Sequence, residues 1–137
     1  MYICQIGSIW EIEPIFRTVL MHELGVTENI LHIALRHAEE AQAARITDIY
    51  LVIGDLSSIV DESVQFYWDF VSEGTIAEKA QLHFRRVATE MLCLECQTTY
   101  APNSDLACPA CGSAQIRVTA GEEFYLEAID VEEGILV

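Results

Sequence analysis

Two Cys-x-x-Cys pairs, Cys93-Leu94-Glu95-Cys96 and Cys108-Pro109-Ala110-Cys111, stand eleven residues apart in a chain of 137. Each pair can sit on a tight turn that aims both sulfurs at one ion. Together they supply the four thiolates of a tetrahedral zinc site. Pro109 and Gly112 bring turn chemistry to the second pair. The interval Gln97 to Ala107 is short and polar, holding Pro102, Asn103, Ser104 and Asp105. It cannot build a hydrophobic core, so a metal has to hold it together. Four thiolates fill the tetrahedron and leave no position for water or substrate, which makes the site structural rather than catalytic. With Zn(II) the cluster keeps a formal charge of about −2, which backbone N–H donors must offset. The competing reading of the same cysteines is two disulfides or a redox dithiol. Nothing in the chain suggests secretion, and reduced surroundings favour metal.

Composition bounds the rest. Hydrophobic residues make up 52% of the chain, enough to build a core. Seven Lys and Arg oppose 22 Asp and Glu, a net charge of −15. That field repels phosphate backbones and anionic lipids, so neither nucleic acid nor membrane is expected as a partner. It favours cations or a basic protein surface, although acidity also serves solubility alone. Residues 1–20 lack the basic leader of a signal peptide, and Glu11, Glu13 and Pro14 interrupt their apolar run. No uninterrupted apolar stretch is long enough to span a bilayer. The expected location is the cytoplasm.

Residues 1–20 show no clear period, and Cys4 reads as a lone thiol. From His22 to Ala43 the spacing predicts an amphipathic helix, with Leu24, Leu31, Ala34, Leu35, Ala38 and Ala41 or Gln42 on its apolar stripe. His32 and His37 flank that stripe on different sides and read as solvated. Ile46 to Ile53 is rich in β-branched residues, apolar on both faces and stopped by Gly54, as expected of a central strand. Asp61 is placed to cap a second helix running to about Ser72, with Val64, Tyr67, Trp68 and Val71 as its buried stripe and Gly74 as its stop. Gln81 to Val87 alternates as a strand, with Leu82 and Phe84 on one face and His83 and Arg85 on the other. Phe124 to Val131 reads as a third strand. The cysteine module is then an insertion between two strands that can pair, which would bring its two ends together.

Met21-His22-Glu23 precedes the first helical turns. If Met21 is the first residue of the mature chain, a free amine, backbone amides and the His22 imidazole converge as a planar set of nitrogens. Ni(II) and Cu(II) favour such a set, and Glu23 adds a carboxylate. A helix start with exposed polar residues is the alternative reading of these three residues alone. No nucleophile–base pair, phosphate loop or catalytic metal triad is evident, so no enzyme is expected.

Taken together, Met21-His22-Glu23-Leu24, the helix to Ala43, Ile53-Gly54-Asp55-Leu56, Gly74-Thr75, the two cysteine pairs and Gly121-Glu122-Glu123-Phe124 occur in one order. This pattern, spanning residues 21–133, resembles the HypA/HybF family of nickel-inserting maturation factors of [NiFe]-hydrogenase. The resemblance implies an α+β fold: two helices on a small three-stranded mixed sheet, with an inserted zinc-ribbon-like module. It implies a nickel-binding domain over 21–88 and 120–133 and a zinc domain over 89–119. Ni(II) is expected at Met21, His22 and Glu23, with His22 the leading ligand, and Zn(II) at Cys93, Cys96, Cys108 and Cys111. The implied partners are a HypB-type GTPase, the hydrogenase large-subunit precursor and, for some members, urease maturation factors. The family motif opens its chain, whereas twenty residues precede it here. Translation from Met21 is the expectation, which would make 1–20 an artefact of an assigned start; the alternative is a real extension, with nickel held by His22 and side chains such as Glu23. The rival is a zinc-ribbon interaction module with no nickel role.

Overall fold

The computed structural model describes residues 2–5 and 23–133. Helix α1 spans Glu23–Glu40 and helix α2 spans Asp61–Val71. Strands β1 (Tyr2–Gln5), β2 (Ala43–Gly54), β3 (Gln81–Val87) and β7 (Phe124–Glu133) form one sheet in the order β1-β7-β2-β3. Strands β4 (Glu90–Cys93), β5 (Thr99–Tyr100) and β6 (Ile116–Ala120) form a second, smaller sheet in the order β5-β4-β6. The architecture is the expected α+β fold with two helices, a mixed sheet and a cysteine module.

Strand β2 is interior, parallel to β3 on one side and antiparallel to β7 on the other. Its helix-facing residues Ile46, Ile49, Leu51 and Ile53 join the core, while Val52 is buried on the opposite face. The expectation of a central strand with two apolar faces holds. The core closes with Leu126 and Ile129 of β7 and Val64 and Trp68 of α2. Each fully buried aliphatic side chain in this set contributes about 2 kcal/mol.

Several expectations are corrected. The sheet has four strands rather than three, because β1 pairs with the outer edge of β7, Cys4 lying opposite Ile129. Strands β3 and β7 do not pair with each other; they flank β2 from opposite sides. The module's ends are brought together instead by the β4–β6 ladder and by the end of β2. Asp55 N–H donates to the Val87 carbonyl at 2.9 Å, and Leu56 N–H to the Gly121 carbonyl at 2.8 Å.

Helix α1 ends at Glu40, and Gln42 turns the chain with a φ of 55°. Ala43 can then pair with Glu133, so pairing outweighs the helix propensity of residues 41–43. The buried face of α1 is also broader than the expected stripe. Leu31, Ala34 and Ala38 are retained and Leu35 is partly buried, but Val26, Thr27, Ile30 and Ile33 join them and Leu24 is exposed. The helix packs on both α2 and the sheet, so two directions of burial replace one.

Finally, Asp61 does not cap α2. Val60 occupies the N-cap position without a side-chain hydrogen bond, and the Asp61 carboxylate pairs with Arg86 of β3. Arg86 also donates to the Gly54 carbonyl and, at 2.7 Å, to the Ile59 carbonyl. It fixes the loop entering α2, a task the sequence assigned to a cap. The α2 stripe narrows to Val64 and Trp68, with Tyr67 and Val71 half-buried.

The tightest constraint lies at Gly54. A Cβ there would stand 2.0 Å from the Gly121 carbonyl oxygen and 2.7 Å from the Glu122 nitrogen, both backbone atoms. Neither can swing aside as a side-chain tip would. Gly54→Ala should therefore cost about 3 kcal/mol or more, read as a lower urea midpoint at unchanged slope.

Candidate metal centre

The two cysteine pairs fold as near-copies of one turn. Gln97 N–H donates to the Cys93 carbonyl at 2.9 Å, and Gly112 N–H to the Cys108 carbonyl at 2.8 Å. Cys93 N–H meets the Thr98 carbonyl at 2.8 Å and Cys108 N–H the Ser113 carbonyl at 2.9 Å. Each turn closes through a residue of positive φ, Gln97 at 69° and Gly112 at 77°. Glycine suits the second at no steric cost, while Gln97 bears the strain of a side chain in the left-handed region. The repeat puts one buried and one exposed thiol on each turn: Cys93 and Cys108 inside, Cys96 and Cys111 outside.

All four cysteines are free thiols, and their sulfurs lie within 4.8 Å of one another. Cys93 Sγ approaches Cys111 Sγ at 3.5 Å, as Cys96 Sγ does Cys108 Sγ. A tetrahedron with metal–sulfur bonds of about 2.3 Å has edges of roughly 3.8 Å. The cluster fits a zinc site by donor chemistry and by size. Backbone amides point at the sulfurs, Cys96 N–H at Cys93 Sγ (3.5 Å) and Ala110 N–H at Cys108 Sγ (3.4 Å). These are the donors expected to offset the charge of a four-thiolate centre.

The thiols do not ionise alike. Thr98, through its hydroxyl and then its backbone, draws Cys96 down to about 6. Cys111 behaves oppositely. The Ser113 backbone favours its thiolate, yet hydrogen bonding to Cys93 and burial push it up to about 12. Cys96 is thus a thiol whose surroundings favour the thiolate, the form that binds a metal. Sequence reasoning missed Thr98, although its place two residues after the second cysteine of a pair was a usable signal. It also missed Tyr100, whose hydroxyl is buried without a partner. Burial, then the neighbouring thiolates, raise that phenol.

The remaining expected ligands are placed differently. Met21 and His22 lie outside the described residues. Glu23 opens α1, half-buried, its carbonyl accepting from the Thr27 hydroxyl. Among the described residues, the four cysteines are the cluster of three or more potential metal ligands that meets. No helix among the described residues is long and apolar enough to cross a membrane.

The family model described as "Hydrogenase/urease nickel incorporation, metallochaperone, hypA" matches residues 21–131. The chain belongs to the HypA family. Hydrogenase maturation factor HypA of Caldanaerobacter subterraneus subsp. tengcongensis is 38% identical over 114 residues, covering 82% of this chain and 100% of that relative. Its namesake in Dehalococcoides mccartyi is 40% identical over 114 residues, covering 82% and 96%. The solution structure of the Ni metallochaperone HypA from Helicobacter pylori superposes with a TM-score of 0.60 at 24% identity, over 83% of this chain and 100% of that one. A second HypA solution structure gives 0.66 at 23% identity, over 85% and 100%. At these identities the structural likeness establishes the shared fold. The HypA family is a nickel metallochaperone family of hydrogenase and urease maturation, and the four-cysteine cluster adds a centre that fits zinc.

The ionisation order is testable on metal-free protein. The pH profile of Cys96 alkylation should have its midpoint near 6, the value Thr98 imposes. Thr98→Val should move that midpoint upward, toward the ordinary thiol value of about 8.5. The sign follows from the depressed value: the thiolate's contribution is present above the ordinary thiol pKa and is lost as pH falls through about 6. Zinc should leave Thr98→Val at higher pH than it leaves the wild type, as followed with a chromogenic chelator.

Proposed function

We propose that this HypA-family chain binds Ni(II) at Met21, His22 and Glu23 and delivers it during [NiFe]-hydrogenase maturation. The observation that carries this reading is where the family match begins: at Met21, the first residue of the Met-His-Glu motif. Nickel is cargo here, and the protein performs no bond chemistry on it. The His22 imidazole supplies one nitrogen donor, neighbouring backbone amides supply more, and the Glu23 carboxylate balances charge. Donors at the leading end of α1 can exchange with an acceptor, which a closed four-thiolate cage does poorly.

Cys93, Cys96, Cys108 and Cys111 then hold zinc as a structural ion within a zinc domain over 89–119, and residues 21–88 with 120–133 form the nickel domain. A HypB-type GTPase and the hydrogenase large-subunit precursor are the partners this reading supplies, with urease maturation factors as a further set. A reduced cytoplasmic setting suits the free thiols.

His22→Ala should abolish specific Ni(II) uptake in equilibrium dialysis at constant zinc, with zinc content and circular dichroism unchanged. Unchanged nickel stoichiometry in that variant overturns the ligand assignment. A wild-type protein that holds zinc and takes up no nickel returns the rival reading, a zinc-ribbon interaction module.

A further inference from the structure

Helix α2 turns an unused face to solvent. Val64 and Trp68 point into the core, whereas Phe66 and Phe70 are 59% and 63% exposed. The two rings sit one helical turn apart and meet edge to face, centroids 5.2 Å apart. Scattered exposed apolar residues are ordinary; a fixed aromatic pair on one face is the kind of anchor that interfaces are built on. Glu62 and Asp69 flank the pair on the helix, and Glu73 follows just past its end, all three exposed. The helix contains no Lys, Arg or His.

We propose that this face docks a basic partner protein, one presenting apolar side chains bordered by Lys or Arg. Charge selects the occupant. A second copy of this chain in a two-fold contact would set Glu62, Asp69 and Glu73 against their own copies, a like-charge arrangement that suppresses association. Residues 6–22 of the same chain carry one Arg against two Glu and bring no compensating positive charge. Apolar anchors ringed by single-sign charge give affinity through the rings, and encounter rate and selectivity through the field. The proposal does not rest on the nickel reading; only its probes are taken from the partners proposed above.

The test uses the full chain, with the hydrogenase large-subunit precursor and the maturation GTPase as purified probes. Phe66→Ser with Phe70→Ser should weaken binding to at least one probe by about tenfold or more. Glu62→Gln, Asp69→Asn and Glu73→Gln together should slow association and flatten its salt dependence. Both variants should keep wild-type nickel and zinc contents, so a failed nickel reading and a failed docking reading show up in different measurements. In otherwise wild-type protein, a photo-crosslinking p-benzoylphenylalanine in place of Phe70 should capture a Lys- or Arg-bearing segment of the probe. Unchanged affinity for both probes overturns the proposal. So does a crosslink into residues 6–22, or a covalent dimer of this chain.

Discussion

The backbone contact between Gly54 and Gly121 is what the rest of this molecule is built around. Gly54 N–H donates to the Glu123 carbonyl at 2.7 Å, and two residues later Leu56 N–H reaches Gly121 at 2.8 Å. Neither glycine has a Cβ to keep the chains apart, and Gly121 adopts a φ of 110° that L side chains rarely take. At one point, therefore, the interior strand of the main sheet clasps the segment returning from the cysteine module. Val87, at the module's outgoing end, is tied to the same place through Asp55. The insertion is anchored at both ends without its flanking strands ever pairing. Its strands form their own small sheet, separate from the main one, beside the thiol cluster.

That separation suits two metals with opposite requirements. A structural ion needs a closed shell of soft ligands, held by short turns that repeat each other's hydrogen bonds. A transferable ion needs harder, exchangeable donors reachable from outside. The two turns at Cys93 and Cys108 satisfy the first need with local backbone geometry alone, so the site owes little to the core formed by α1, α2 and β2. On the proposed reading nickel is held instead at the Met-His-Glu motif, whose Glu23 opens a helix with its burial decided by the core. Loss of one ion then need not carry away the other.

How far the sequence foretold this depends on the range of the forces involved. The cysteine spacing, the β3 alternation and the Val64–Trp68 stripe are local signals, and each was legible. The phase of α1 was not. Its burial comes from two directions, and a single-stripe reading favoured Leu24 over Val26 and Ile30. Asp61 looked like a cap because capping is a local habit; the structure gives it to Arg86, some twenty-five residues away, which also needs acceptors at Gly54 and Ile59. The supposed β3–β7 pair and the unforeseen β1 are both matters of strand order. Strand order depends on which edges remain open once β2 is central, and no periodicity records that. Met21 and His22 were expected as ligands from the motif and the resemblance, and both lie outside the described residues, which resume at Glu23.

A chain with 22 acidic residues against seven basic ones must also keep its own sheet from being pushed apart. The hardest case is Asp48 and Asp130, direct partners across the β2–β7 ladder, where like charges repel. The fold gives each carboxylate a separate side-chain partner, while Asp130 Oδ1 stays buried without one. His83 Nε2 meets Asp48 Oδ1 at 2.8 Å, and the Tyr50 hydroxyl donates to Asp130 Oδ2 at 2.7 Å. The His83 and Tyr50 rings stack between the two pairs, centroids 4.6 Å apart. The electrostatic consequences agree: hydrogen bonding to His83 lowers Asp48, and hydrogen bonding to Asp130 pushes the Tyr50 phenol up to about 12. Arg85 and Arg86 are likewise held in the fold, one by Tyr125 and Glu127 and the other by Asp61. Much of the positive charge near the sheet is thereby consumed internally. The surplus left at the surface is acidic, as on α2, and neutralising it falls to whatever the protein meets.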